Sequence, residues 1–302
     1  LAVRVAERLS GEVVGCDALQ VYRGLDAATG KPTSEERARV PHRLIDVVDP
    51  GRDYTLADYV RDADAAIAAI AAQGAVPIVV GGTGLYLRGL LKGIVEAPPR
   101  DEALRKRVRA LAARFGAPRV HRWLARVDPA SAARILPGDT QRIVRALELA
   151  LAAGPSWSER LAASGTWSDE AERYDALKFG LDLDRDFLAA RLAARVDAFL
   201  DAGLADEVER LLAGGLPESA NALKAIGYRE MVRARRLGLD PRAQRDTIVL
   251  ATRQYAKRQR TWFRKESGVT WLDAARDVDE LADEIALRWR RFDAEGGGDA
   301  AC

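Results

Sequence analysis

The chain holds only two cysteines and two histidines among its 302 residues. Cys16 and Cys302 lie near opposite ends, which argues against a disulfide framework or a cysteine metal site. His42 and His121 are too few to build a zinc centre. No apolar run approaches the ~20 residues that a membrane-crossing helix needs. The opening LAVRVAERLSGE spreads charges where a secretory leader would keep an apolar centre. A cytoplasmic protein with no membrane partner is expected. Net charge is small as well, at +2, so bulk charge alone does not single out nucleic acid.

What is present is an apolar fraction of 48%, enough for the core of one large domain or two moderate ones. The charges are unevenly placed. Residues 100–126 carry nine Lys/Arg against two acids, and residues 253–265 carry six with no acid. Basic clusters in a nearly neutral chain point to contact with a polyanion.

Residues 1–9 read as a helix, followed by a short apolar strand that ends at Asp17. In open parallel α/β sheets ligands bind beyond the carboxyl ends of the strands, so Asp17 is placed either for chemistry or as an ordinary turn or cap residue. A polar, glycine-punctuated loop then runs to Lys31 and Pro32. A second strand is expected at 43–48, and a helix capped at Thr55 or Asp58 runs to Gln73. Val76–Val80 has the continuous apolar character of a strand buried on both faces. Gly81 and Gly82 let the chain turn tightly into a helix at Thr83. That helix start could hold an anion on its N–H groups, or Thr83 could simply cap it.

From Ala97-Pro98-Pro99, read as a hinge, to about Tyr174 the pattern is helical, with segments 101–115, 118–126, 129–135 and 139–153. Strand character returns at 176–183. Asp186 is expected to cap a helix that carries Arg191 and Arg195 on one face, suited to gripping a phosphate or to facing solvent. Helices follow at 204–212 and 225–236, the second opening with KAIGYRE. A long helix from Pro241 to about Glu266 repeats Arg253, Lys257, Arg260 and Arg264 as one cationic stripe flanked by Tyr255, Trp262 and Phe263, either a solvated face or a nucleic-acid contact. A strand at 269–272, a helix at 278–292 and a glycine-rich tail close the chain. The expected organisation is an α/β core of residues 1–97 and 175–292, a helical insertion of 98–174 and a disordered tail of 293–302.

Seven stretches, in order along nearly the whole chain, carry a resemblance: GCDALQVYRGLDAATGKP, PHRLIDVVDP, VGGTGLYLRGLL, DTQRIVRALE, RLAARVDAFLDAGLADEV, KAIGYRE and ATRQYAKRQRTWFRK. Together they resemble the tRNA dimethylallyltransferases. The resemblance implies a P-loop-kinase-like, nucleotide-binding α/β fold with a parallel sheet, flanking helices and an all-helical insertion that clasps the anticodon stem. It implies transfer of a dimethylallyl group from dimethylallyl diphosphate to N6 of adenine 37 in the tRNA anticodon loop, with Mg2+ and as a monomer. Asp17 would be the general base, with Ala18, Leu19 and Gln20 beside it holding the target base. Thr83 would meet the diphosphate and Arg195 would pair with it. Arg105, Gln141, Arg142, Lys224, Gly227, Tyr228, Arg229, Lys257, Arg258, Arg260, Trp262 and Arg264 match stretches that touch tRNA.

The family pattern opens with a strand and a phosphate loop of the form GPTASGK followed by Ser or Thr, whereas this sequence starts at the helix after that loop. The resemblance therefore implies a truncated copy that binds the donor poorly and turns over little. Three other readings stay open at this stage. An adenylate isopentenyltransferase acting on free AMP, ADP or ATP would need neither the insertion nor the cationic stripe. A small-molecule kinase would share the sheet. An RNA-binding protein with a lost donor site would keep only the basic surfaces.

Overall fold

The computed structural model of the chain describes residues 1–95, 97–98, 101–153, 158–159 and 172–296. Two compact units emerge, one made of Leu1–Leu91 with the chain from Glu172 onward, the other of Lys92–Ala171.

In the first unit, helix α1 (Ala2–Leu9) leads into the fully buried strand β1 (Gly11–Gly15). β1 lies between β2 (His42–Arg43) and β3 (Val76–Val80), and both pairings are parallel. Parallel strands need crossovers. Here α2 (Ser34–Arg39) lies on the way to β2, and α3 (Leu56–Ala71) carries the chain from β2 to β3. Thr55 and Asp58 share the capping of α3, each side chain taking the other's backbone N–H. A second parallel pair, β4 (Lys178–Asp182) and β5 (Val269–Asp273), runs in register from Lys178↔Val269 to Asp182↔Asp273.

The expected strand at 43–48 is cut short. Leu44 and Asp46 take left-handed backbone angles, φ 61° and 58°, which turn the chain out of the sheet. Val48 returns only as an isolated bridge to Tyr22. β3 is half-buried rather than buried on both faces, and among the described residues it pairs on one side only. The stretch after Asp17, expected as a polar loop, is instead part of the core. Val21, Tyr22 and Leu25 are buried with Val196, Leu204, Leu223, Tyr228 and Ile248. Removing such side chains from water is the main force that holds an irregular segment in one shape.

Helix α4 (Gly84–Lys92) follows β3. After β4 come α9 (Arg185–Asp201), α10 (Leu204–Ala213), α11 (Tyr228–Leu237) and α12 (Arg245–Phe263), and α13 (Val278–Ala294) follows β5. Asp184, not Asp186, caps α9, since its Oδ1 accepts the N–H groups of Asp186 at 2.9 Å and Phe187 at 3.3 Å. α13 packs on α1 through Val5, Leu281 and Ile285, with Leu272 of β5 beside them. It extends two residues into the expected tail, and residues 297–302 lie outside those described.

The second unit is built from α5 (Glu102–Phe115), α6 (Ala117–Val127), α7 (Pro129–Arg134) and α8 (Thr140–Ala153). Their apolar faces meet in a core of Val108, Val120, Leu124, Ile143, Val144 and Leu147. Gly116, at φ 83°, breaks α5 from α6 where a residue with a Cβ would be strained. The helical pattern read on to Tyr174 falls on 160–171, outside the described residues, and 172–174 are not helical.

Candidate active site and nucleic-acid interface

Because Gly15 pairs with Val80, the segments leaving β1 and β3 run side by side. The amide of Cys16 donates to Val80 O at 2.8 Å, and that of Thr83 donates to Cys16 O at 3.2 Å. A Cβ on Gly81 would lie 2.1 Å from Cys16 O, so this approach requires glycine there. Thr83 does not spend its side chain on capping α4. Its Oγ1 instead accepts the N–H of Ala18 at 3.0 Å, tying the start of α4 to the residue after Asp17.

Asp17 holds its own turn. Oδ1 accepts the N–H groups of Leu19 at 2.8 Å and Gln20 at 3.2 Å, and among the described residues Oδ2 takes no hydrogen bond. Burial pushes this carboxyl above the usual range, against the pull of the two backbone N–H groups and the Arg195 charge. The side chain is thus both a turn residue and a carboxylate with one oxygen to spare. Ala18 and Leu19 form the same turn, and Leu19 packs on the core. Gln20 is committed to structure, its amide donating to Thr29 O at 3.2 Å and Gly30 O at 3.0 Å.

Arg195, on α9, lies over Gly30, where a Cβ would come within 1.9 Å of Nη2. Its guanidinium also covers the Phe199 ring at 5.2 Å. Among the described residues it is exposed and has no carboxylate within ion-pair distance. Its charge is close enough to pull the Asp17 carboxyl down, and an exposed guanidinium without an ion pair can take a further anion.

Helix α12 docks on the turn that carries Thr83. Gln259 Nε2 donates to Gly82 O at 2.8 Å, and a Cβ on Gly84 would meet the Trp262 indole at 2.3 Å. Tyr255, one turn before Gln259, lies near Thr83 and Asp17. Its phenol titrates above the ordinary range through burial and then through the Asp17 charge. Tyr255 is expected only as a flanking aromatic, and Gln259 falls within a matched stretch without a role of its own. Their spacing with Trp262, at i, i+4 and i+7, was the available signal for one inward face.

The cationic stripe on α12 divides in two. Arg260 and Arg264 both donate to Asp182 Oδ2, at 3.0 and 2.7 Å, so an acid from β4 neutralises a run that contains none of its own. Arg253, Lys257 and Arg258 are exposed and without ion-pair partners among the described residues. Trp262 is not an open stacking platform. It is wedged between Gly84 and the Arg88 guanidinium, which covers the ring at 4.5 Å.

Three further expectations change. Tyr228 is fully buried, so within KAIGYRE it is a core residue and not a surface contact. Gly227 is also buried, at φ 90°, with its N–H on Glu230 Oε2 at 2.8 Å, while Lys224 and Arg229 are exposed. In the second unit, Arg105 is bound to the buried Glu148 at 2.9 Å, beside Arg145 at 2.8 Å, which makes it a structural ion pair. Gln141 and Arg142 are exposed on α8.

For a divalent cation, the described residues hold no cluster of three His, Cys, Asp or Glu. Thr83 Oγ1, at the start of α4, is a hard oxygen that suits an ion arriving largely coordinated by phosphate oxygens. No helix among the described residues is long and apolar enough to cross a membrane.

The family model described as IPP transferase matches residues 20–266. A tRNA dimethylallyltransferase of Anaeromyxobacter dehalogenans is 50% identical over 288 residues, covering 95% of each chain. Another, from Geobacter sulfurreducens, is 43% identical, covering 96% of this chain and 92% of the relative. Among solved structures, the tRNA isopentenylpyrophosphate transferase of Bacillus halodurans superposes with a TM-score of 0.69 at 35% identity, covering 96% of this chain and 90% of that one. The paired tips of β1 and β3, the α12 face closed over them and similarity along nearly the full length agree: the chain belongs to the IPP transferase family, the tRNA dimethylallyltransferases.

Proposed function

We propose that this chain transfers a dimethylallyl group from dimethylallyl diphosphate to N6 of adenine 37 in a tRNA anticodon loop. The observation that carries this reading is the junction of Asp17 and Thr83 through the Ala18 amide at the tips of two paired strands. It sets a proton acceptor and a hydroxyl on two neighbouring segments joined by one hydrogen bond.

In the reaction, the N6 nitrogen attacks C1 of the donor as the C1–O bond breaks, and diphosphate leaves with that electron pair. The nitrogen becomes acidic only as it attacks. Asp17 Oδ2, the oxygen without a bond, then takes its proton, and a carboxyl raised by burial is a stronger base than an exposed one. Oδ1 stays fixed by Leu19 and Gln20, so the base does not have to reorganise. The Thr83 hydroxyl already accepts the Ala18 N–H, which leaves its proton to donate to the departing oxygen. Arg195 meets the growing diphosphate charge. The Thr83 hydroxyl is the hard oxygen that would hold Mg2+ arriving with the diphosphate, and when bound the ion would offset leaving-group charge.

On the RNA side, Arg253, Lys257 and Arg258 supply cations for backbone phosphates. Lys224, Arg229 and Arg142 are exposed and suit the same purpose, and the exposed Gln141 amide offers a neutral hydrogen-bonding group. Bringing adenine 37 out of its stack costs a few kcal/mol, which such contacts offset. Incubation of the chain with labelled dimethylallyl diphosphate and either bulk tRNA or AMP tests the reading. Label in tRNA supports it, whereas label in AMP alone would reassign the acceptor.

A further inference from the structure

We propose that Glu207 and Tyr228 form a clamp that holds the loop of residues 26–30 as the seat of Arg195, so that this pair is a positioning device for the diphosphate site.

The loop is bonded at successive residues from two sides. Glu207, on α10 and 5% exposed, accepts the N–H of Asp26 on Oε1 and that of Ala27 on Oε2, both at 3.0 Å. The Tyr228 hydroxyl, from the first turn of α11, donates to Glu207 Oε1 at 2.5 Å and accepts the Ala28 N–H at 3.4 Å. From the other side Gln20 Nε2 donates to the carbonyls of Thr29 and Gly30. Thr29 Oγ1 closes the turn on Leu25 O at 2.6 Å. One end of this set is the turn that Asp17 holds through the Gln20 amide, and the other is Gly30, beneath the Arg195 guanidinium.

A buried carboxylate with three donors is costly to leave half-satisfied, so the clamp has one low-energy arrangement and the loop follows it. Tyr228 cannot reach a bound RNA from this position, because its ring is fully covered by the core that contains Val21, Leu25 and Leu204. The KAIGYRE stretch therefore acts on the donor side of the site through Tyr228, whatever Lys224 and Arg229 touch. The proposal rests on the reading of Arg195 as the diphosphate ligand.

The test uses the full chain with Tyr228→Phe, which keeps the ring and loses the hydroxyl, and Glu207→Gln. Prenyl transfer is measured while dimethylallyl diphosphate and tRNA are varied separately, alongside tRNA affinity at equilibrium and thermal melting. For Tyr228→Phe, KM for dimethylallyl diphosphate is expected to rise on the order of tenfold, with tRNA affinity unchanged. The acid limb of the pH–rate profile is expected to move upward, because a displaced Arg195 depresses the Asp17 carboxyl less. The other groups facing that carboxyl, Tyr255 from α12, Tyr86 from α4 and the neighbouring Cys16 thiol, are not held by the clamp. A loss of tRNA affinity at constant donor KM would overturn the proposal in favour of an RNA contact. A lower melting temperature with unaltered kinetics would reduce the pair to scaffold. Should Glu207→Gln fail to fold, Tyr228→Phe alone decides. Should the parent chain transfer nothing, the functional reading is what fails, and the clamp is then read by calorimetric titration with inorganic diphosphate. Binding weaker in Tyr228→Phe than in the parent supports it, and equal binding refutes it.

Discussion

The hydroxyl of Thr83 accepts the amide of Ala18 at 3.0 Å, so the first residue past Asp17 is tied to the start of the helix that follows β3. The bond makes a base and an acid one assembly. Removing the carboxylate should then spoil the chemistry without disturbing RNA contacts on α12. Asp17→Ala is expected to lower the transfer rate by about 10² to 10⁴ with tRNA affinity nearly intact, measured by single-turnover labelling and filter binding. Thr83→Ser should keep most of the rate, whereas Thr83→Ala leaves the Ala18 N–H unmatched and should not.

The half-buried Asp17 carboxyl also carries a pH signature. Its pKa is raised in the folded state, so that state holds the proton to a higher pH than the unfolded chain does. Stability linked to this group is therefore present at acid pH and lost as pH rises through the raised value. Asp17→Asn keeps the Oδ1 acceptor without the charge. It should raise the melting temperature at neutral pH, with the gain vanishing in acid, while transfer stays abolished.

The division of the cationic stripe predicts unequal effects on RNA binding. Charge removal at Arg253, Lys257 or Arg258 should weaken tRNA binding and reduce the slope of log affinity against log salt by about 0.7 to 0.9 per residue. Asp182→Asn frees Arg260 and Arg264 and should strengthen binding and steepen the slope. A weaker complex for Asp182→Asn would show instead that the acid serves to aim the two arginines.

Gly84 tests the seating of α12 on the active-site turn. A methyl group there meets the Trp262 indole at 2.3 Å, so the indole, covered by Arg88, or α12 itself must shift. Gly84→Ala should cost about 1–3 kcal/mol in denaturant unfolding and lower the transfer rate as well, since Gln259 and Tyr255 move with the helix.

In the second unit, Glu148 is 1% exposed and takes Arg105, Arg145 and the Asp101 amide. Burial works to raise its carboxyl, and these partners hold it below the ordinary range. Arg105→Ala should destabilise the chain by about 1–3 kcal/mol, because Arg145 and the Asp101 amide still hold the carboxylate. The melting curve should therefore change more than the tRNA affinity of the folded protein. Gln141→Ala and Arg142→Ala, both on exposed sites, should leave melting untouched.

Local pattern made the regular elements readable. The run Val76–Val80, the Thr55/Asp58 capping box and the helical spacing of 101–153 each follow from periodicity and end signals within a few residues of chain. The second strand did not, because left-handed angles at Leu44 and Asp46 are imposed from outside: Asp46 is held by Lys31 and Arg37. The surroundings of Arg105, Tyr228 and Trp262 are not legible in the sequence for the same reason. Whether an arginine or an aromatic ring faces solvent depends on a partner 43 residues away, as with Glu148 and Arg105, or 178 away, as with Glu266 and Arg88 beside Trp262.

By itself, then, the sequence determined residue chemistry and short-range geometry: a carboxylate after a strand, a hydroxyl after two glycines, cations at helical spacing, and a family resemblance spread over seven stretches. Only the tertiary structure decided which of those groups have a free valence. Among the described residues, Asp17 keeps an unbonded oxygen, Arg195 lacks a carboxylate in ion-pair range and Arg253, Lys257 and Arg258 have no ion-pair partner, while Gln20, Arg105, Arg260 and Arg264 are already bound. Hydrogen bonds and ion pairs act over about 3 to 4 Å in space without regard to separation along the chain, so folding is what sorts a reactive side chain from a satisfied one.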